Sequence, residues 1–210
     1  FVGYEENECD AKVIGLFEDG RAVEELCGKG EIVFDRTPFY AESGGQVADT
    51  GFIFNDRKKI FVSDVKKAPH GQSLHKVDTE VPVFMGETFH LAIDTDKRAR
   101  TRANHSSLHL LQSALREVLG SHIAQAGSYC GDEYGRFDFT HFEKVTDTQL
   151  HQIENLVNEY IFRHDPVITE VMDIEDAKKT GATALFDEKY GDRVRVVSMG
   201  EESKEFCGGT

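Results

Sequence analysis

The sequence predicts an α+β protein of two subdomains, with a boundary near residue 95. Before that boundary, short β-like runs alternate with turn residues, which is typical of a small β structure. After it, apolar residues recur three and four positions apart in two long stretches, which is typical of amphipathic helices. Short β-like runs are interspersed with these helices, so the second subdomain is expected to be a layered α+β structure.

The first subdomain is divided into β-like runs by residues with good turn chemistry. Turns are predicted at Asp19-Gly20, Gly28-Lys29-Gly30 and Asn55-Asp56. The predicted strands are Lys12–Phe17, Glu31–Asp35, Gly51–Phe54, Lys59–Val65, Val81–Met85 and Glu87–Ile93. Many short strands at close spacing indicate a barrel or a sandwich, and the pattern alone does not distinguish the two.

The second subdomain opens with a long helix that follows three arginines, Arg98, Arg100 and Arg102. Its apolar positions form one stripe, at Leu108, Leu111, Leu115 and Val118. Such a stripe is buried against a core, and Gly120 is a natural place for the helix to end because glycine readily adopts the left-handed conformation.

The remaining elements of the second subdomain are predicted from caps and turns. A β-like stretch covers Gly135–Thr140, and the spacing of Thr146 and Gln149 predicts a capping box at the start of a second helix. That helix must end before Asp165-Pro166, because proline disfavours helical backbone in the residue before it. The elements expected after it are a strand Val167–Met172, a short helix capped by Asp173 and closed near Gly181, and a strand Arg193–Met199.

Composition limits the functions that the chain can have. It has 210 residues, 39% of them hydrophobic, and no apolar run of the length that spans a bilayer. The net charge of −14 argues against non-specific binding to a polyanion, so any contact with nucleic acid is expected to be local. The four cysteines show no CxxC pairing, which favours a reducing compartment. The chain begins at Phe1 rather than Met, and we expect a longer parent protein.

His105 and His109 are the first candidates for chemistry. Four residues apart on a helix, their imidazoles lie on one face, about one turn from each other, as in helices that offer two nitrogen ligands to one metal ion. The alternative is that they are two unconnected helix histidines, because the HxxxH spacing alone is common. The sequence lacks the glutamate of the HExxH motif, which disfavours a metalloprotease.

Cys207 is the second candidate. It lies in Phe206-Cys207-Gly208-Gly209-Thr210, and a thiolate can share a zinc ion with two histidines while the glycines let the backbone approach closely. The alternative is a small buried apolar side chain. His105, His109 and Cys207 together favour zinc more strongly than any of them does alone.

The third candidate is the segment Thr37–Gln46, with the sequence TPFYAESGGQ. Its two glycines precede Gln46, so backbone amides and the glutamine side chain could face a ligand. Considered by itself, the segment is better explained as a glycine-rich β-turn with a solvated glutamine.

Three segments together resemble the editing domain of alanyl-tRNA synthetases. They are TPFYAESGGQ at 37–46, NHSSLHLL at 104–111 and CGGT at 207–210. Shorter stretches match too, at 125–128, 136–139 and 197–200, so the resemblance covers essentially the whole chain in the right order. Free-standing alanyl-tRNA editing proteins and threonyl-tRNA synthetase editing domains share the HxxxH and cysteine elements, and the full arrangement here most resembles the form embedded in a synthetase. The resemblance implies an N-terminal small β-barrel (1–95) followed by a two-layer α/β editing core (96–210).

The resemblance also implies site residues. Zinc would be held by His105, His109, Cys207 and one more histidine four residues after the cysteine, a position beyond Thr210. From three ligands and an end expected to fray, we expect this chain to fold without zinc and to bind it weakly. Gln125 would lie in the editing pocket. Thr37 and Ser43 are candidates for reading a serine hydroxyl, and the segment 98–102 would neighbour the tRNA acceptor strand.

The implied reaction is hydrolysis of the ester that joins serine or glycine to tRNA(Ala). An apolar pocket distinguishes such close relatives of alanine by only about 1–3 kcal/mol, so a second, hydrolytic selection step is useful. We expect the other domains of an ATP-binding, full-length synthetase as partners, a cytoplasmic location and no membrane. Two alternatives are a free-standing trans-editing hydrolase and a zinc-stabilised tRNA-binding module without catalysis. No Ser-His-Asp triad is evident, and Cys207 is interpreted as a ligand rather than a nucleophile.

Overall fold

The computed structural model describes residues 1–184 and 191–210, and these form an α+β fold with two compact units. The first unit comprises residues 1–102, 131–133 and 210, and the second comprises 103–130 and 134–209. The helix α1 (Thr95–Leu119) contains the division between residues 102 and 103. Among the described residues, no helix is both long enough and apolar enough to cross a membrane.

The first unit is a closed β-barrel. Its strands are β1 (Glu8–Glu18), β2 (Arg21–Ala22), β3 (Glu25–Phe34), β4 (Gly51–Phe54), β5 (Lys59–Lys67), β6 (Ser73–Phe84) and β7 (Thr88–Ile93). The order in the sheet is β2-β1-β3-β6-β5-β4-β7, and an additional pairing of β1 with β7 closes six of these strands into the barrel. The resemblance therefore predicted the correct alternative of the two that the strand pattern left open.

Closure depends on β1, which pairs with a different neighbour in each half. Its first half, from Glu8 to Lys12, pairs with β7, and its second half pairs with β3 after a register shift between Val13 and Gly15. Such irregularities bend a strand and allow a sheet to close on itself. Alternate side chains of the strands point inward and form an apolar core that includes Leu16, Ile53 and Leu91.

Several strand predictions in the barrel are confirmed and two details are wrong. Gly51–Phe54 is confirmed to the residue, and the turn at Asp19-Gly20 has the positive φ angles expected of a tight hairpin. The turn predicted at Gly28-Lys29-Gly30 lies instead inside β3, where a bulge between Leu26 and Gly28 keeps the strand paired with β6. The predicted strand Val81–Met85 is only the end of the twelve-residue β6, whose first part alternates too weakly to be found.

In the second unit, the described residues form the rest of α1, two more helices and two small sheets. Its elements are β8 (Gln125–Cys130), β9 (Gly135–Phe139), α2 (Asp147–Phe162), β10 (Val167–Asp173), α3 (Ile174–Lys179), β11 (Arg193–Met199) and β12 (Ser203–Phe206). Strands β8 and β9 form a hairpin, and the order in the other sheet is β10-β11-β12. One apolar cluster joins α1, α2 and β11 through residues such as Leu115, Ile153 and Val197.

The predicted helix ends hold in the second unit. The capping box is confirmed, because Thr146 accepts from the Gln149 amide and the Gln149 side chain accepts from the Thr146 amide. Gly120 follows α1 with a φ of 116°, as a C-terminal glycine requires. Asp173 occupies the cap position of α3 but makes no side-chain cap hydrogen bond. Strands β8 and β12 were not predicted, because both are short and their sequences are mostly polar.

Candidate metal centre

Helix α1 places the imidazoles of His105 and His109 against each other. The two ring centroids are 4.9 Å apart and the rings are nearly parallel, at an angle of 19°. This follows from the spacing of four residues, which puts successive side chains on one face of a helix. The neighbouring Leu108 and Leu110 are buried, so the histidines lie beside the apolar stripe of the helix.

Cys207 follows β12 and brings its thiol to the two imidazoles. Its Sγ lies 3.3 Å from Nε2 of His105, and one ligand atom from each of His105, His109 and Cys207 lies within 4.8 Å of the others. Backbone and side-chain hydrogen bonds from Arg195 fix this segment: the Cys207 amide donates to the Arg195 carbonyl, and the Arg195 guanidinium donates to the carbonyls of Cys207 and Gly209. The segment 207–209 is therefore tied down, in contrast to the fraying expected from its sequence.

The Glu205 carboxylate, which the sequence did not predict as part of the site, is hydrogen-bonded to His109. Oε2 of Glu205 lies 2.7 Å from Nδ1 of His109, and the two side chains are only 10% and 11% exposed. The other carboxylate oxygen accepts a hydrogen bond of 3.3 Å from the Ser203 hydroxyl. Glu205 is two residues before Cys207 in an extended segment, so the alternation of a strand places both side chains on one face.

The cluster favours a thiolate at Cys207. Burial by itself raises the pKa of the thiol, but hydrogen bonds from His105 and His109 outweigh it and lower the pKa to about 5. Burial also lowers the pKa of His109, and the hydrogen bonds to Cys207 and Glu205 overcome this and raise it. Thiolate is the form of cysteine that binds metals, and it is available here at neutral pH.

The donor set fits a zinc ion. Two imidazole nitrogens and one thiolate sulfur are ligands that zinc takes in proteins, and the ligand atoms of His105, His109 and Cys207 converge on one point. Two hydrogen bonds hold the ligands in place. His109 is hydrogen-bonded to Glu205, and Arg195 donates to the Cys207 carbonyl. Within the described residues, these three side chains are the one group that meets this geometric test.

Gln125 begins strand β8 and lies in the second unit with the histidine–cysteine cluster. It is partly exposed, and its Nε2 donates a 3.0 Å hydrogen bond to the hydroxyl of Ser128. A register shift between Gln125 and Gly127 in the β8–β9 hairpin changes the alternation of side chains there.

Thr37 belongs to a buried network of the barrel unit. Its hydroxyl lies 2.7 Å from Nε2 of His75 and accepts from the Phe39 amide at 3.1 Å, while Nδ1 of His75 lies 2.9 Å from the Ile32 carbonyl. Burial lowers the pKa of His75 to about 4, so the ring is neutral. In the arrangement that satisfies every group, His75 donates to Ile32 and accepts from Thr37.

Gln46 is buried rather than solvated. The turn expected before it is present, with a bridge between Ser43 and Gln46 and positive φ angles at Gly44 and Gly45. The Gln46 side chain is only 2% exposed, and its amide pairs twice with Thr210: Nε2 donates to the Thr210 hydroxyl at 2.7 Å, and Oε1 accepts from the Thr210 amide at 3.1 Å. Gln46 thus holds the last residue of the CGGT segment within the first unit.

The arginines of segment 98–102 have different surroundings. Arg98 is buried and donates to Asp49 and to the carbonyls of Gly3 and Pro38, so it supports the barrel unit and is not available to an acceptor strand. Arg100 is half-exposed and pairs with Asp132. Arg102 is exposed, so the expectation of a nucleic-acid contact is restricted to the later part of the segment.

Comparison with known proteins shows what the chain is similar to. A family model described as tRNA synthetases class II (A) matches residues 1–97. The chain is 50% identical over 209 residues to an alanine–tRNA ligase of Lactococcus lactis, a match that covers 99% of this chain and 24% of the relative. It is 49% identical to the enzyme of Streptococcus mutans, again over 99% of the chain and 24% of the relative, and 45% identical to that of Legionella pneumophila.

Over nearly its whole length, the chain is therefore similar to one segment of alanine–tRNA ligases. It spans about a quarter of the length of the curated relatives that it matches. The matches cover nearly the whole chain, and so include both the Thr37–Gln46 segment and the histidine–cysteine cluster.

Two buried polar residues were missed by sequence reasoning alone. Glu205 resembles a solvated charge, because it follows Glu201, Glu202 and Lys204. Its alternation with Cys207 was the one available signal that the two side chains share a face. His75 gives no signal, because it lies in a weakly alternating strand and contacts residues that are far away in the sequence.

Proposed function

We propose that this chain is the editing domain of an alanyl-tRNA synthetase and hydrolyses the ester of Ser-tRNA(Ala) and Gly-tRNA(Ala). The observation that carries the proposal is the convergence of His105, His109 and Cys207 on one point. Homology to alanine–tRNA ligases supplies the substrate class, because the domain that edits must act on the tRNA that the ligase charges.

Zinc is the metal that we propose for the cluster. His105, His109 and Cys207 would hold it, and the family pattern adds a histidine four residues after Cys207. Bound there, zinc would supply a Lewis acid that orients the substrate and polarises an ester carbonyl or a water molecule. We assign Cys207 as a ligand rather than a nucleophile, because its sulfur and one nitrogen of each of His105 and His109 lie within 4.8 Å of one another, as the ligands of one metal ion would.

Selectivity would come from polar groups near the reacting ester. Serine differs from alanine by a hydroxyl, so a pocket with a polar partner for that hydroxyl disfavours alanine by leaving the partner unpaired. We propose that Gln125 helps to shape this pocket, supported by its hydrogen bond to Ser128 and its place in the same unit as the metal ligands. Ser43 remains a second candidate for reading the hydroxyl.

Thr37 and Gln46 enter the proposal as positioning residues. The Thr37 hydroxyl is held between His75 and the Phe39 amide, and the Gln46 amide is held by Thr210. Both side chains are nearly buried. We propose that they fix the backbone of the Thr37–Gln46 segment, which would then present its own groups to the acceptor end of the tRNA.

The domain organisation is part of the proposal. We propose a barrel subdomain over residues 1–95 and a two-layer α/β editing core over 96–210. The editing core would comprise the helices α1 and α2 with the sheet that contains β11, which already share one apolar cluster. The partners would be the other domains of the full-length, cytoplasmic, ATP-dependent synthetase.

The test is a deacylation assay with serine-charged, glycine-charged and alanine-charged tRNA(Ala). Rates on the first two are expected to exceed the rate on the cognate Ala-tRNA, in the full-length synthetase. Replacing His105 by Ala is expected to abolish deacylation without unfolding the protein, and Gln125→His to impair it. Exposed His151 lies on α2, and His151→Ala is the control.

Three results would contradict the proposal. Equal rates on Ser-tRNA and Ala-tRNA would remove the editing role. Zinc-dependent tRNA binding without turnover would favour a binding module. Full activity of Gln125→His would remove Gln125 from the pocket.

A further inference from the structure

The strand β12 and the turn before it are mostly polar, and the strand carries a buried acid. Glu205 is 7% exposed, although carboxylates are rarely buried unless they are paired. Its neighbours along the chain, Glu201, Glu202 and Lys204, are more exposed, and Glu202 pairs with Arg163. Glu205 is therefore more buried than the other acids near it, Glu201 and Glu202.

The hydrogen bond from His109 determines which nitrogen of that ring can meet a metal. A carboxylate accepts hydrogen bonds, so Nδ1 of His109 must carry the proton that it donates across 2.7 Å to Oε2 of Glu205. The remaining nitrogen, Nε2, faces away from Glu205 and is then the one that can bind a metal ion. In metal sites, this arrangement of carboxylate, histidine and metal fixes both the tautomer and the orientation of the ring.

We propose that Glu205 is a positioning residue of the metal centre, which holds His109 in the Nδ1-protonated tautomer with Nε2 directed at the ion. The inference rests on the proposed metal binding by His105, His109 and Cys207. Ser203 supports the carboxylate in turn, since its hydroxyl lies 3.3 Å from Oε1 of Glu205. The result is a chain of contacts from the backbone of β12 to the ligand atom.

Geometry argues against Glu205 as a fourth ligand. Its Oε2 is bound to Nδ1, and the two nitrogens of an imidazole point in divergent directions. The ring of His109 thus separates the carboxylate from the point where its own Nε2, Nε2 of His105 and Sγ of Cys207 converge.

The experiment compares four proteins: the unchanged chain, Glu205→Gln, Glu205→Ala and the control Glu202→Gln. Glu202 lies on the same hairpin and pairs with Arg163 rather than with a metal ligand. Affinities for Zn²⁺ and Co²⁺ are measured by competition with a chromophoric chelator. Removing the partner behind a metal-binding histidine lowers metal affinity by about 10–100-fold, which we expect for Glu205→Ala, with a smaller loss for Glu205→Gln and none for Glu202→Gln.

A second readout distinguishes positioning from general stabilisation. The ¹⁵N chemical shifts of the His109 ring report its tautomer in the zinc-loaded protein. We expect zinc on Nε2 and a proton on Nδ1 in the unchanged chain and in Glu202→Gln, and exchange between Nε2-bound and Nδ1-bound rings in Glu205→Gln. Because glutamine keeps the shape of the glutamate, this measurement remains possible if Glu205→Ala fails to fold.

The outcomes distinguish failure of the positioning role of Glu205 from failure of the proposed metal binding. If the unchanged chain binds neither ion, the metal centre itself is wrong. If it binds zinc and Glu205→Gln matches it in both affinity and tautomer, the positioning role is overturned. A visible spectrum of the cobalt protein that loses a carboxylate ligand in Glu205→Gln would show that Glu205 is a direct ligand, which would also overturn it.

Discussion

The two units bury polar side chains in different ways. In the barrel unit, Arg98 donates hydrogen bonds to Asp49 and to two backbone carbonyls. His75 is hydrogen-bonded to Thr37 and to the Ile32 carbonyl. In the second unit, the ligand atoms of His105, His109 and Cys207 face one another.

The difference shows which kind of buried polarity indicates a functional site. Burying a polar group is costly unless it is hydrogen-bonded, and both units meet that requirement. In the barrel unit, the donors and acceptors are matched one to one by fixed protein groups. In the second unit, the metal-ligating atoms of His105, His109 and Cys207 converge on one point, and the Glu205 carboxylate accepts a hydrogen bond from His109. Convergence, rather than burial, is the property that indicates a metal centre.

The largest expected effect is on the stability of the barrel unit. Replacing Arg98 by Met leaves Asp49 buried without its charged partner, and breaking a buried ion pair in this way costs about 3–5 kcal/mol. Arg100→Met is the control on the same helix, because the half-exposed pair of Arg100 with Asp132 is worth no more than about 1 kcal/mol. Denaturant unfolding measures both, and equal losses would show that the Arg98 network is unimportant.

The next effect concerns metal affinity in the second unit. Cys207→Ser removes the thiolate from the cluster, and we expect zinc affinity to fall by at least about 100-fold, more than for loss of a supporting group. Cys27→Ser is the control, since Cys27 is exposed on the barrel. Equilibrium dialysis measures both. Unchanged zinc binding by Cys207→Ser would mean that convergence had been misread as a metal centre.

The parts of the fold that the sequence predicted are those with local causes. The capping box of Thr146 and Gln149 and the glycine after α1 depend on residues within one turn. The first part of strand β6 and the paired stretch through Gly28 were missed because they depend on distant residues. Strand β6 is stabilised by pairing with both β3 and β5, whatever its own alternation. Closure of the barrel through β1 and β7 likewise joins residues about 80 positions apart.

The residues of the candidate site likewise differ in whether local sequence could predict their contacts. His105 and His109 are paired by a helical period, so their proximity follows from the sequence. Cys207 was grouped with them by its ligand chemistry and by the resemblance, because no local spacing relates it to His105, which is 102 positions away. Glu205 was missed although it is two residues from Cys207, because an acid in a polar run is usually solvated. The prediction for Gln46 placed the residue in a turn correctly but in solvent wrongly, because its partner Thr210 is 164 positions away.

A smaller effect is expected in the pH dependence of stability. Burial lowers the folded-state pKa of His75 to about 4, below the value of 6.5 in an unfolded chain. The unfolded state therefore binds more protons between these values, and stability falls as the pH falls. From pH 7 to pH 5 the contribution of this group is about 2 kcal/mol. Unfolding free energies measured across this range are expected to fall less steeply in His75→Gln, and to keep the original slope in the exposed control His70→Gln. Parallel profiles for all three proteins would contradict a neutral His75.

The smallest effect tests the local contribution to the second unit. Thr146 caps α2 with its hydroxyl and receives the Gln149 side chain in return, so Thr146→Ala leaves the Gln149 amide without its partner. Loss of an N-cap costs about 1 kcal/mol. Thr148→Ala is the matched control, because Thr148 is exposed in the first turn but is not the cap. Zinc affinity is expected to stay the same in both variants, since the cap touches none of the metal-binding residues. A fall in affinity with Thr146→Ala would show that the end of α2 is coupled to the cluster. In that case the metal site would depend on a local feature of α2, and the local contacts that form the helix could not be treated separately from the long-range contacts that form the site.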